Sequence, residues 1–121
     1  MDDMQELIDR YIAVWNEADP ARRRALIART WAAGARYLDP LMAGDGREGI
    51  DAMIAGVQQR FPGLRFSLIG APDGHNDRIR FRWALGPAGG EAVVEGTDFA
   101  TVASDGLLAS VTGFIDRAPA A

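Results

Sequence analysis

The hydrophobic pattern changes its period once, at Pro62-Gly63, and that change limits what the chain can fold into. Before it, apolar residues recur every three or four positions. Met4, Leu7, Ile8, Tyr11, Ile12 and Trp15 form one stripe, with Glu6, Asp9, Arg10 and Glu17 off it. The spacing predicts an amphipathic helix from about Asp3 to Ala18. Asp19-Pro20 reads as the N-cap and first residue of a second, shorter helix, with Leu26 and Ile27 inward and Trp31 near its end. A third helix is predicted over Ile50–Arg60, with Ile50, Met53, Ile54, Val57 and Phe61 on one side. After Pro62-Gly63 the period falls to two. Ile79, Phe81, Trp83 and Leu85 alternate with Arg78, Arg80 and Arg82. Strands are predicted over Leu64–Gly70, Arg78–Leu85, Glu91–Ala103 and Leu107–Asp116, with turns at 73–77, 86–90 and 104–106. One short strand, Ala35–Asp39, comes earlier; Gly34 permits the turn into it, Pro40 stops it, and Leu41–Gly49 reads as a loop.

Helices followed by a meander of antiparallel strands define an α+β domain, and the length of 121 residues fits one such domain over 1–121. A twisted sheet covered by helices on one face is expected to leave a conical cavity.

The chemistry open to this chain is narrow. It has no Cys and one His, and all 13 of its basic residues are Arg. Thiolate nucleophiles, cysteine zinc sites, lysine Schiff bases and multi-histidine metal sites are therefore excluded. Gly44-Asp45-Gly46-Arg47-Glu48-Gly49 has no preceding strand pattern and no Lys, so it reads as a turn rather than a nucleotide loop. The remaining tools are carboxylates, tyrosine, arginine and one histidine, and chemistry without metal or cofactor is expected. The net charge is -4, and the only basic cluster, Arg22-Arg23-Arg24, fans around a helix as a solvated surface, so no nucleic acid is expected. No apolar run is long enough to span a membrane, and the acidic start Met1-Asp2-Asp3 is unlike an export signal; a cytoplasmic protein is expected.

Three residues stand out. Tyr11 lies four residues from both Leu7 and Trp15, so it points inward with them. It is either a core phenol bonded to a backbone carbonyl or part of a site. Asp98 shares a strand face with Val94, Gly96, Ala100 and Val102, a small apolar surface suited to a cavity floor. A charge there is costly, so the expectation is a protonated carboxyl with a raised pKa; the alternative is an aspartate paired with arginine or with backbone amides. Asp39 stands at a strand end, where it either reaches into the cavity mouth or starts an Asx-type turn before Pro40. His75 reads as a solvated turn residue. Arg78, Arg80 and Arg82 are expected on an outer sheet face, pairing with Glu91 or Glu95 or forming a dimer surface.

Taken together, these residues resemble the NTF2-like (cystatin-like) superfamily, which includes ketosteroid isomerases and SnoaL-like polyketide cyclases. Arg10-Tyr11 with Ala13, Asn16 and Asp19 resembles the first helix of the bacterial isomerases; Ala35 with Asp39-Pro40 resembles their general-base segment; Val93-Val94 with Asp98-Phe99 resembles their second oxyanion strand. The string Glu95-Gly96-Thr97-Asp98-Phe99 is closer to SnoaL-like members. The resemblance implies a cone-shaped domain with three N-terminal helices on a curved, mainly antiparallel sheet. It implies Asp39 as base, with Tyr11 and protonated Asp98 holding an enolate oxygen. The resulting expectation is a cofactor-free isomerase or cyclase acting on a small apolar carbonyl compound. Trp15, Met42, Met53, Phe61, Phe81, Trp83 and Phe114 are the expected apolar walls. The alternative is a non-catalytic ligand-binding or interaction module. An epoxide hydrolase ranks lower, because its Asp-Arg-Asp relay would need Arg80 to face inward, and Arg80 alternates with Phe81 and Trp83. A homodimer through the outer sheet face is expected.

Overall fold

The computed structural model describes residues 3–119; Met1 and Asp2, read above as part of the acidic start, lie outside them. Helix α1 spans Asp3–Asn16 and buries Leu7, Ile8, Tyr11, Val14 and Trp15. It ends two residues before the expected Ala18 because Asn16 is used elsewhere. The Asn16 side chain donates to the Phe66 carbonyl at 2.9 Å and accepts from the Phe66 amide at 2.8 Å, tying the helix end to the sheet. Helix α2, Pro20–Thr30, begins as predicted. Asp19 is its N-cap, accepting from the Arg22 amide, and Pro20 occupies the first turn.

The arginine cluster on α2 is not a uniformly solvated face. Arg23 is buried, with its Nε donating to Asp51 at 2.7 Å and its guanidinium also reaching the Glu17 carbonyl and Gln58. It clips α2 to α3, the helix over Gly46–Arg60. Helix α3 begins earlier than the predicted Ile50, and Ile50, Ile54 and Val57 form its buried side.

Six strands follow the order β2-β1-β6-β5-β4-β3. They are β1 (Trp31–Leu38), β2 (Ala43–Asp45), β3 (Arg65–His75), β4 (Arg78–Gly86), β5 (Val94–Val102) and β6 (Leu108–Arg117). The last four form the expected antiparallel meander. Strand β1 is longer than predicted, starts directly after α2, and runs parallel to β6. The segment read as a loop contains β2, antiparallel to β1.

Strand β3 runs past Gly70 to His75. Gly70 adopts a left-handed φ of 75° where the β3–β4 register shifts, so the strand bends there and resumes. Only Asn76-Asp77 form the turn to β4, with Asn76 at φ 53°. Further register shifts in β1 and between β5 and β6 help curve the sheet. Helix α1 lies across β3, and α3 across β1 and β2. Ile8, Val14, Trp31, Ile50, Ile54 and Leu108 are fully buried between the layers, each aliphatic side chain worth roughly 2 kcal/mol.

Candidate active site

Strand alternation and helix periodicity converge on one cavity, of about 80 Å³, between α1, α3 and the concave side of the sheet. Asp98 is on its wall and only 1% exposed. One carboxyl oxygen, Oδ2, accepts from the Tyr11 hydroxyl at 2.6 Å. The other, Oδ1, accepts from the Trp83 indole Nε1–H at 2.9 Å. Both partners are neutral donors. Burial pushes the Asp98 carboxyl up to about 6; the bonds from Tyr11 and Trp83 oppose the rise, and the charges of Asp39 and Asp116 add to it. The upward direction matches the expectation of a raised pKa.

Asp39, at the end of β1, is 9% exposed. Its Oδ1 accepts from the backbone amides of Leu41 (2.8 Å) and Met42 (3.0 Å), the Asx-type turn foreseen before Pro40. Its Oδ2 accepts from the Tyr37 hydroxyl at 2.7 Å, and the residue lines the cavity. Both readings of Asp39 are therefore realised at once. Tyr37 was not foreseen as a site residue, although it lies two residues before Asp39 and so shares its strand face.

The site thus holds two phenol–carboxyl pairs, Tyr11–Asp98 and Tyr37–Asp39. Burial, followed by the neighbouring Asp98 charge, raises both phenols well above the ordinary tyrosine range, so both stay protonated. The pairs meet at Gly113 on β6. A Cβ there would lie 2.9 Å from Asp98 Oδ1 and 3.1 Å from both the Tyr37 hydroxyl and the Asp39 Cβ. Only a residue without a side chain fits between them. Gly96 on β5 has a similar use: a Cβ there would lie 2.3 Å from the Trp83 ring, so the bare glycine is the seat on which the indole lies while it donates to Asp98.

Of the expected walls, Trp15, Met42, Phe61 and Trp83 line the cavity, joined by Ile12, Val57, Phe66, Leu85 and others. Three do not. Phe81 is buried behind Tyr11, edge-on with ring centroids 5.1 Å apart. Met53 is half-buried on α3, packed against the core rather than at the cavity. Phe114 is 56% exposed, because Gly113 takes the inward position beside it and strand alternation sends Phe114 out.

On the outer face, Arg82 pairs with Glu95, and Arg80 pairs with Asp73 at 3.1 Å. Arg80 stays in solvent, so no Asp-Arg-Asp relay forms in the cavity. His75 is exposed beside Asn76. Among the described residues no three His, Asp or Glu side chains are placed to hold a metal ion, and no helix is long and apolar enough to cross a membrane.

The chain and its fold have relatives among solved structures. A protein of the SnoaL-like family from Agrobacterium tumefaciens str. C58, described as a candidate isomerase, shares 44% identity with a TM-score of 0.91, over 97% of this chain and 100% of that one. A candidate SnoaL-like polyketide cyclase from Jannaschia sp. CCS1 (20% identity, TM-score 0.69, 91% and 85% covered) shares the fold. So does a protein of unknown function with a cystatin-like fold from Methylobium petroleophilum PM1 (19% identity, TM-score 0.75, 98% and 78% covered). No curated protein matches the sequence. The family model of the SnoaL-like domain matches residues 8–111. The chain therefore belongs to the SnoaL-like family and has the NTF2-like, cystatin-like fold.

Proposed function

We propose that the protein is a cofactor-free acid–base catalyst of isomerase or cyclase type, acting on a small apolar carbonyl compound. The observation that carries this reading is Asp98: a buried carboxyl on an apolar cavity wall, held by two neutral donors, with burial pushing its pKa up to about 6. A group with such a pKa is suited to take a proton and give it back.

The roles implied by the resemblance shift accordingly. Asp39 has one oxygen filled by two amides and the other engaged by Tyr37. Asp98 accepts one bond at each oxygen, one fewer in all than Asp39, and burial raises its pKa, so in this reading Asp98 is the better proton acceptor. In the proposed step an Asp98 oxygen takes a proton from the carbon next to the carbonyl. The C–H electron pair becomes the enolate double bond, and the carbonyl electron pair moves to oxygen. Return of the proton to a different carbon completes an isomerisation; attack by the enolate carbon on a second carbonyl of the same molecule closes a ring, and the alkoxide formed there takes the proton back from Asp98. As Asp98 becomes neutral it needs the Tyr11 hydrogen bond less, and the Tyr11 hydroxyl can turn to the oxygen where charge gathers.

A second reading, a binding module without chemistry, is favoured by one observation: both carboxyls already satisfy both phenols within a small cavity. Solvent-deuterium exchange into a panel of small ketones and enones, followed by NMR, separates the two. Catalysis predicts exchange that falls at least about 100-fold in Asp98→Asn. No exchange by the native protein, with ligand affinity unchanged in Tyr11→Phe and Asp98→Asn, would establish the binding module instead.

We further propose a homodimer through the outer sheet face, where Leu38, Phe99 and Phe114 are exposed among charged side chains.

A further inference from the structure

Almost every polar side chain on the cavity wall is already engaged. Tyr11 and Trp83 donate to Asp98, and Tyr37 donates to Asp39. Trp15 differs. It lines the same cavity and is 5% exposed, yet its Nε1–H has no hydrogen-bond acceptor in the protein. Buried N–H groups without partners are rare because they lose their bond to water and gain nothing in return. Among the described residues Arg10 Nε and Trp31 Nε1 are also buried and unpaired, but neither residue lines the cavity. Of the three groups, only the Trp15 Nε1–H belongs to a residue that lines the cavity.

Its surroundings define what that ligand must bring. The indole is flanked by both phenols, with ring centroids 6.2 Å from Tyr11 and 5.5 Å from Tyr37. Its N–H lies on the side of the Tyr11 hydroxyl, close enough to favour a Tyr11 phenolate, but without hydrogen-bond geometry. Indole nitrogen donates and cannot accept, so the ligand must supply an acceptor. An anion would be stripped of water among apolar walls and placed near Asp39 and Asp98, which disfavours it. A neutral oxygen acceptor on an apolar frame fits both constraints.

We propose that Trp15 Nε1–H holds the carbonyl oxygen of the small apolar ligand. Tyr11 must leave Asp98 to reach that oxygen; Trp15 need leave nothing. The binding half of the proposal stands alone. Its catalytic half rests on the proton transfer proposed above, in which charge gathers on the same oxygen and Trp15 brings a donor that no protein acceptor holds.

The test uses the intact protein labelled with ¹⁵N, with 2-cyclopentenone as the probe and cyclopentene as its counterpart lacking oxygen. The three indole N–H signals are assigned by single substitutions. On adding 2-cyclopentenone, the Trp15 Nε1–H signal is expected to move downfield by more than that of Trp31, which does not line the cavity. Cyclopentene is expected to leave the Trp15 signal without a downfield shift. Trp15→Phe keeps an aromatic wall and removes the donor; it is expected to weaken 2-cyclopentenone binding about tenfold more than cyclopentene binding. Equal loss of both probes, a Trp15 signal unmoved by the ketone, or no binding of the ketone by the native protein overturns the proposal. The native signal decides even if the variant fails to fold. A Trp15 signal that responds to the ketone without any deuterium exchange keeps the donor and removes the reaction. Exchange with an unresponsive signal removes the donor and keeps the reaction.

Discussion

At Asp98 burial and hydrogen bonding pull in opposite directions, and burial wins: the carboxyl is pushed up to about 6. An aspartate in the unfolded chain titrates near about 3.9. The folded protein thus binds this proton more tightly than the unfolded one between pH ~4 and pH ~6. Its contribution to stability is fully present below that window and lost as pH rises through it. Two pKa units correspond to about 3 kcal/mol. Chemical denaturation of the native protein and Asp98→Asn at pH 4 and pH 7 should therefore show the native protein losing about that much relative to the variant. A difference that does not change with pH would contradict this. Several of the residues involved were legible in the sequence. Tyr11 and Trp15 share a helical stripe, and Asp98 interrupts an apolar strand face. Tyr37 was hidden by its neighbour, since a strand ending in Asp-Pro draws attention to the carboxylate. Phe114 was misplaced for the opposite reason: the inward position beside it is Gly113, which has no side chain to mark it.

Among the elements, the local ones were readable and the non-local ones were not. Helices α1 and α2 and strands β4 to β6 follow from periodicity and caps that lie within each segment. Strand β2 has three residues, and among the described residues it pairs with β1 alone; nothing in its own composition marks it. The bend of β3 at Gly70 depends on a register shift against β4, which no single-strand pattern carries. The β4–β5 pair shows how two elements set one side chain. Trp83 lies opposite Gly96, and only the missing Cβ lets the indole rest there and reach Asp98. Gly96→Ala should displace the ring, destabilise the fold by about 1–3 kcal/mol and raise the Asp98 pKa by about one unit as the donor is lost. Trp83→Phe should raise that pKa similarly without the clash. Carboxyl chemical shifts across a pH titration check both variants; an unmoved Asp98 would show that the indole bond does not matter to its ionisation.

As a whole molecule, the chain puts its acid pairs on one side of a curved sheet and the exposed Leu38, Phe99 and Phe114 on the other. On the outer side Phe99 lies opposite Thr112, which also pairs with Leu38, and Phe114 lies opposite Thr97. Arg80, Arg82, Glu95 and Asp116 bring both signs of charge to the same region. A two-fold dimer would cover this apolar set and let opposite charges meet. Sedimentation should find a dimer for the native protein and a monomer for the double variant Phe99→Glu, Phe114→Glu. A native monomer at micromolar concentration would rule out this assembly.

The proton-carrying role of Asp98 is tested most directly by titrating its carboxyl carbon by NMR in the native, ligand-free protein. The account predicts a midpoint near about 6, some two units above an ordinary aspartate. A midpoint near about 4 would mean that the carboxyl is as easily ionised as one in water, and the catalytic reading of this cavity would be contradicted.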